Sequence, residues 1–454
     1  MPRLNVPPNF IGTGGADTLI GEQLNTSPAI GIDILTGGYI RTLSGIDTIT
    51  GIATGDDGPE QSSNGASGTG IANSGSIDAG DGNDAITGTA TGGRGGSGYY
   101  AGNAIGITNS GSINTGDGND AIAGTATGGE SGGDYYVGGN GGTGTGIANS
   151  SSINTGSGKD TITGIGRGSD GGGNNGSGGT GTGITNTKEL DTGDGEDTIT
   201  GTGTGGSGDR QDGSPYGKVG NGATGTGIAN SGSLNTGNAN DTIIGTGNGG
   251  NSGTSPVGIG DGGTGIGIQN TKNANITTGW GNDTITGYGN SSEKNATSYG
   301  IFNDGVINTG EGSDKLTGQA SSTIGATAYG IYGQGIIKTG DGNDSVIATS
   351  ILDGVQQKVS IGGGIKIDLG TGNDYLKGFG EASVDGGDGF DTLDLGAFKR
   401  SQVIVSGVLP GNTLESAKIS FNNNGNTISL STTGFEKFIF ADSSFCYGTL
   451  ANGA

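Results

Sequence analysis

The 454-residue chain has no histidine and one cysteine, Cys446. Without histidine there is no imidazole base, no His-ligated zinc and no imidazole pH switch. One cysteine excludes an intramolecular disulfide and a Cys-rich metal site. Aromatic residues make up 5% and hydrophobic residues 28% of the chain, against the roughly 45–50% apolar content of an ordinary globular domain. A large packed α/β or helical fold is therefore not expected. Cations are scarce too: 19 Lys and Arg face 43 Asp and Glu, for a net charge of −24. A field of that sign argues against nucleic acid or an anionic membrane as partner. No run of about 18 apolar residues exists to span a bilayer. The opening MPRLNVPPNF has no apolar stretch of signal-peptide length. The expectation is a cytosolic protein or one exported without a cleaved leader.

Glycine is what the chain has in excess, at 111 residues. A collagen helix is excluded, because there is no strict Gly-X-Y period and there are only 8 prolines. Disorder, which low hydrophobicity and high net charge favour, is excluded only if the few apolar residues occupy a regular frame.

They do. TGSGKDTITG, TGDGEDTITG, TGWGNDTITG, TGEGSDKLTG and LGTGNDYLKG are variants of one string. Its aspartate recurs as Asp17, Asp47, Asp84, Asp120, Asp160, Asp197, Asp241, Asp283, Asp314, Asp344, Asp374 and Asp391, at intervals of 17 to 44 residues. Aliphatic residues keep fixed offsets from it. Ile77, Ile113 and Ile153 stand seven before, Ile34, Ile71 and Ile107 thirteen before, and Ile86, Ile122 and Ile162 two after. The unit ending at Asp283 slips by two, with Ile268 fifteen before. Three β-compatible segments per unit, separated by glycine turns, predict an all-β fold. It is a three-sided parallel β-solenoid (β-helix or β-roll) of about 12 coils, spanning 1–396, with three aliphatic columns inside. At ~4.8 Å per coil the rod is roughly 55 Å long. A further column, Asn73, Asn109, Asn149, Asn186, Asn230 and Asn303, reads as a structural ladder along the axis.

Length variation is confined to the stretch between one unit's third segment and the next unit. The inserts, such as TGGRGGSGYYAGNA and SGDRQDGSPYGKVGNGA, therefore leave one edge of the rod. Two readings stand: flexible solvated loops, or an adhesive edge using Tyr99, Tyr100, Tyr135, Tyr136 and Tyr216.

Stacking in register lines up the aspartates at ~4.8 Å, where like charges repel by roughly 3 kcal/mol at an effective dielectric of ~20. Further acids stand three residues before the anchors: Asp81, Asp117, Asp194, Glu311, Asp341 and Asp388. No basic column answers them. Oxygen ligands without His or Cys select Ca²⁺, which takes 6–8 oxygens and accepts backbone carbonyls. The candidate metal ligands are thus Asp47, Asp81, Asp84, Asp117, Asp120, Asp160, Asp194, Asp197, Asp241, Asp283, Asp314, Asp341, Asp344, Asp374, Asp388 and Asp391. The turn before Asp160, and that before Asp241 with Asn238 and Ala239, depart from the pattern and predict weaker sites. The competing reading is an Asx turn with no metal.

TGDGND followed by an aliphatic residue resembles the nonapeptide repeat G-G-x-G-x-D-x-U-x of RTX (hemolysin-type) calcium-binding proteins. The resemblance implies calcium shared between stacked turns, with Asp84, Asp120, Asp197, Asp344 and Asp374 matching best beside Gly82, Gly118, Gly195, Gly342 and Gly372. It departs in having one motif per long coil rather than tandem nonapeptides. Residues 397–454 thin in glycine and alternate in SQVIVSGV, NTISLS and EKFIFAD, which predicts an antiparallel β cap. GFEKFIFADSS is similar to the segment closing many such arrays, and the resemblance implies type I secretion and an extracellular or cell-surface location.

The leading functional expectation is a secreted, calcium-stabilised structural protein of the cell surface or matrix. It would self-assemble as a homo-oligomer, head to tail into a fibre or lattice, because the first coil begins within about ten residues with no polar cap. A cell-surface polysaccharide is a further expected partner. One alternative is an ice- or carbohydrate-binding adhesin, for which Thr161, Thr163, Thr198 and Thr200 hint at threonine ladders. The other is a β-helix polysaccharide lyase or epimerase, which needs a basic or phenolic catalyst; Lys and Arg are sparse, Arg94, Arg167 and Arg210 are expected in loops, and no acid–base set recurs. No enzymatic activity is expected.

Overall fold

Each coil is built from three strands, and the coil around Asp84 shows why. In Gly68–Asn73, Ser76–Asp78 and Ala85–Thr91, the inward position of each strand holds one isoleucine: Ile71, Ile77 or Ile86, each 0% exposed. One coil alone cannot cover these residues. Stacking does so, by placing like on like in parallel register: Ile71 pairs with Ile107, Ile77 with Ile113 and Ile86 with Ile122. Burial of each such side chain contributes about 1.5–3 kcal/mol, so a narrow core suffices for a chain this poor in apolar residues.

The structure is a computed structural model; it describes residues 2–59, 63–132, 138–173, 175–209, 219–255, 258–291, 293, 295–323, 325–409, 414–423 and 425–451. Third strands stack as one parallel ladder from Thr18–Thr26 to Thr392–Leu395, and first and second strands form the other two sides. The all-β parallel solenoid expected from the sequence is therefore the observed architecture.

The ladder corrects the frame in the coil of Asp47 and bears out the two-residue slip in that of Asp283, where Ile268 pairs with Ile228 and Ile301. Ile32, not Ile34, pairs with Ile71, and Ile34 falls opposite Asn73. In that coil four residues separate the first strand, Ala29–Ile34, from the second, Tyr39–Arg41, instead of the usual two. The coil of Asp283 has the same longer turn between Asn270 and Asn275. Its Asn270 thereby joins the asparagine column, which counting back from the aspartate misses.

That column is a side-chain ladder. Nδ2 of Asn73 donates to Oδ1 of Asn109 (2.8 Å), Asn109 to Asn149, and so on through Asn186, Asn230 and Asn270 to Asn303.

The inserts, where described, are hydrogen-bonded to each other rather than loose. N–H groups of Gly102, Gly129, Gly142, Ser169, Gly179 and Gly206 donate in turn to carbonyls of Gly93, Gly102, Gly129, Gly142, Ser169 and Gly179. Outgoing and returning arms of successive inserts thus alternate in one continuous backbone ladder. Glycine is required by proximity: a Cβ on Gly142 would lie 2.0 Å from the Gly102 carbonyl oxygen. This replaces the expectation of flexible loops for the described arms. Tyr135, Tyr136, Tyr216 and Arg210 lie outside the described residues.

The C-terminal segment is only partly the antiparallel cap that alternation suggests. Asn426–Thr433 continues the solenoid in parallel against Gly380–Asp385, and Lys437–Phe440 does so against Thr392–Leu395. Antiparallel strands Ala417–Asn423 and Ser444–Cys446 then cover these two. Phe379, Phe398, Phe435 and Phe438 fill this end of the core. No helix among the described residues is long and apolar enough to cross a membrane.

Candidate metal centre

The turn between the second and third strands is T-G-x-G-x-D. Its first glycine holds φ between 80° and 98°, as in Gly116 (90°), and its second between 132° and 152°, as in Gly118 (149°). L side chains rarely adopt these values. The two left-handed positions reverse the chain sharply enough to send the aspartate inward while the residues one and three before it face out.

The inward aspartates form a buried column. Asp47, Asp84, Asp120, Asp160, Asp197, Asp241, Asp283, Asp314, Asp344, Asp374 and Asp391 are each at most 2% exposed. Each carboxylate accepts one bond from the coil before it. The N–H of Asp84 donates to Oδ1 of Asp120 at 2.8 Å, and the pattern holds from Asp17 to Asp391 at 2.7–2.8 Å. Oδ2 of all eleven is buried without a partner. Asp17, at the N-terminal end of the column, is half-buried, and its Oδ2 instead accepts from the N–H of Thr13 at 2.7 Å.

A buried, unpaired carboxylate oxygen costs several kcal/mol unless the charge is neutralised. The proton affinities record this. Burial is the main cause pushing Asp84, Asp120, Asp160, Asp197, Asp283, Asp344 and Asp391 up to about 6, and Asp241 and Asp374 up to about 7. The hydroxyl of the threonine five before the anchor pulls the other way, most for Asp120 (Thr115) and Asp283 (Thr278), and so does the donated N–H. Neighbouring carboxylates add repulsion, as Asp120 and Asp47 do for Asp84.

A threonine column lines the same space, and counting from the aspartates did not single it out. Thr42, Thr115, Thr155, Thr192, Thr236, Thr278, Thr309 and Thr339 stand five before their anchors, all 0% exposed. The Thr115 hydroxyl donates to the Thr155 carbonyl (3.2 Å) and Thr309 to Thr339 (3.1 Å), while the Thr236 hydroxyl has no partner. The signal is the initial T of the repeated string, present in most units and absent where Gly12, Ala79, Leu369 and Gly386 replace it.

The structure divides the sequence-derived ligand set. Asp81, Asp117, Asp194, Asp341 and Asp388, with Glu311, are exposed. Their backbones pair along the column, for example Glu311 with Asp341, and alternation turns their side chains to solvent. They add negative charge to the edge, and their side chains lie outside the buried space. The turn of Asp241 keeps its shape, with Ala239 held at φ 101° in the glycine position.

Among the described residues no three Asp, Glu or Cys side chains converge into a ready-made cage. A cation on this column would draw on an aspartate Oδ2, threonine hydroxyls and turn carbonyls. All are hard oxygen donors, a set that suits Ca²⁺, and the unpartnered Oδ2 is the atom that such an ion would satisfy.

No protein-family model matches the chain, and no curated protein matches it in sequence. Among solved structures it is similar to a hyperactive, Ca²⁺-dependent, β-helical antifreeze protein from an Antarctic bacterium, at 16% identity over 96% of this chain and 94% of that one, with a TM-score of 0.37. So loose a superposition assigns neither ligand nor activity to the present chain.

Proposed function

We propose that this chain is a calcium-stabilised structural β-solenoid that works outside the cell, at its surface or in the surrounding matrix. The observation that carries the reading is the line of eleven buried aspartate Oδ2 atoms without partners. Divalent cations between the turns would neutralise the column and let the coils stack, so metal binding becomes folding free energy. Low calcium inside a cell and millimolar calcium outside would then restrict folding to the exterior. A rod with this regular repeat suits assembly with further copies into a fibre or lattice, and electron microscopy with and without calcium tests that step. The metal itself is tested by titrating calcium into chelator-treated protein while following circular dichroism and heat. Saturable binding with a gain in melting temperature is expected. Equal stability in excess chelator at neutral pH would remove the proposal.

A second reading has its own observation. Outward residues of the third strands stack in register as Thr50, Thr87, Ala123, Thr163, Thr200 and Ile244, beside Thr89, Thr125, Ile165, Thr202 and Thr246. This is a flat grid of hydroxyls and methyls at about 4.8 Å across strands and about 6.6 Å along them. Such a grid can hold ordered water and adhere to ice. Thermal hysteresis that is lost on Thr200→Tyr would support it; none at millimolar protein would end it.

A further inference from the structure

A cleft of about 280 Å³ opens where the hairpin that follows Ser345–Leu352 meets the C-terminal strands. After Ser345–Leu352 the chain turns back in a short hairpin to Val355–Gln356, which brings Gln357 and Lys358 into the lining. Phe421 and Asn423 of strand Ala417–Asn423 line it too, as do Thr327 and Tyr329.

Tyr329 belongs to a larger aromatic surface. Tyr299 and Tyr329 stack at 6.3 Å with an interplanar angle of 12°, Phe302 and Tyr332 at 5.8 Å and 28°, and Tyr329 and Tyr332 lie 4.9 Å apart. All four rings face outward and are half-buried. In a chain with 5% aromatic residues, they gather on two adjacent coils. Tyr329 and Tyr332 lean over Gly362, where a Cβ would come within 2.9 Å of both rings.

The surroundings narrow the occupant. Thr297–Asn303 is paired on both sides, whereas Thr327–Tyr332 is paired on its outer side only at Ile331 and Tyr332; the Ala328 carbonyl there accepts from the Ser350 hydroxyl at 2.6 Å, which leaves only a short piece of edge for a peptide strand. The lining sets aliphatic Leu352, Val359 and Ile428 beside the rings, two amides and the hydroxyls of Thr327 and Ser350, a mixed surface that matches the C–H and O–H faces of a sugar ring. Among the described residues Lys358 makes no salt bridge; its ammonium lies 5.2 Å from the Phe421 ring centre and 5.4 Å from that of Phe398. Lys358 thus brings a positive charge to the cleft on a chain of net charge −24.

We propose that this cleft and its aromatic surface bind a carboxylate-bearing pyranose unit of an acidic polysaccharide. The C–H face of the ring would stack on Tyr329, the amides of Gln357 and Asn423 would meet hydroxyls, and Lys358 would hold the carboxylate. Glu381, whose charge is felt at Tyr329, disfavours the reverse orientation. The cleft lies apart from the aspartate column, so the proposal stands or falls independently of the metal.

The test is calorimetric titration of the full chain with hexagalacturonate and with its carboxyl-reduced neutral counterpart. Wild type should bind the acidic hexamer about tenfold more tightly. Tyr329→Ala should weaken both ligands about tenfold, and Lys358→Met should lower the acidic hexamer to the neutral level, with melting temperatures unchanged in each variant. Tyr299→Ala, farther along the aromatic surface, gives a second reading should Tyr329→Ala fail to fold. No binding, equal affinity for the two hexamers, or binding that survives both Tyr329→Ala and Lys358→Met would overturn the proposal. So would acidic-hexamer binding that depends only on calcium, since it would place the sugar on the acidic edge.

Discussion

The backbone N–H of Asp391 donates to the carboxylate of Glu436. Every earlier anchor donates to an aspartate of the following coil, so a glutamate from the C-terminal segment takes the place of the next rung. Glu436 immediately precedes the strand Lys437–Phe440 that continues the third side of the solenoid. The same carboxylate bears on Glu415, whose burial and proximity to Glu436 raise it to about 7.

Glu436→Ala should therefore undock the C-terminal strands first. Leaving the Asp391 N–H without its acceptor costs about 1–3 kcal/mol. Hydrogen exchange should show lost protection in Lys437–Phe440 while coils around Asp120 and Asp160 keep theirs. Uniform protection in the variant would show that the rung is not what holds this segment.

The buried aspartates give metal-free protein an inverted pH profile. An unfolded aspartate titrates near 3.9, and the folded values lie at about 6 to 7. Between these limits the folded state holds protons that the unfolded chain has released. The stabilisation is complete below about pH 4 and is lost as pH rises through 6 to 7. In chelator, melting temperature should fall from pH 5 to pH 8; saturating calcium should abolish the fall. A chelated protein that gains stability over that range would contradict the buried, unpartnered column.

Trp280, the one tryptophan of the chain, stands three residues before Asp283 and is 64% exposed. It occupies the place that acids hold in neighbouring turns, pairing along the column with Asn238 and Glu311. Calcium binding at this turn should change its emission with a saturable dependence. Asp283→Asn should remove that change but leave the circular dichroism response of the other coils.

Two substitutions of opposite sign test the turn. Ala239→Gly relieves a left-handed alanine and should stabilise the protein by about 1 kcal/mol. Gly118→Val adds a Cβ that would sit 1.6 Å from the Gly82 carbonyl oxygen, and should cost more than about 3 kcal/mol. Denaturation midpoints measure both.

Much of this fold is legible in the sequence because burial here is periodic. Ile71, Ile77 and Ile86 repeat at fixed offsets from Asp84, and the offsets translate directly into three inward columns. The fixed count misplaced Ile34 and missed Asn270, where a two-residue turn becomes four and the count from the aspartate shifts. The aspartate column was visible as spacing, but its inward direction was not. Whether Asp117 or Asp120 faces the core depends on the left-handed Gly116 and Gly118, and glycine alone does not announce its φ. The threonine column hid in plain repetition. The ladder joining the inserts was unreadable, since Gly142 and Gly129 meet through backbone atoms that carry no sequence signature.

The three buried ladders share one sense. The Asp84 N–H, the Asn109 amide and the Thr115 hydroxyl all donate toward the C-terminal neighbour. Damage is therefore unequal on the two sides of a lesion: removing the Asn149 side chain strands a donor at Asn109 below it and an empty acceptor at Asn186 above it. The rod is a vector, and a coil inserted upside down would meet lone pair against lone pair.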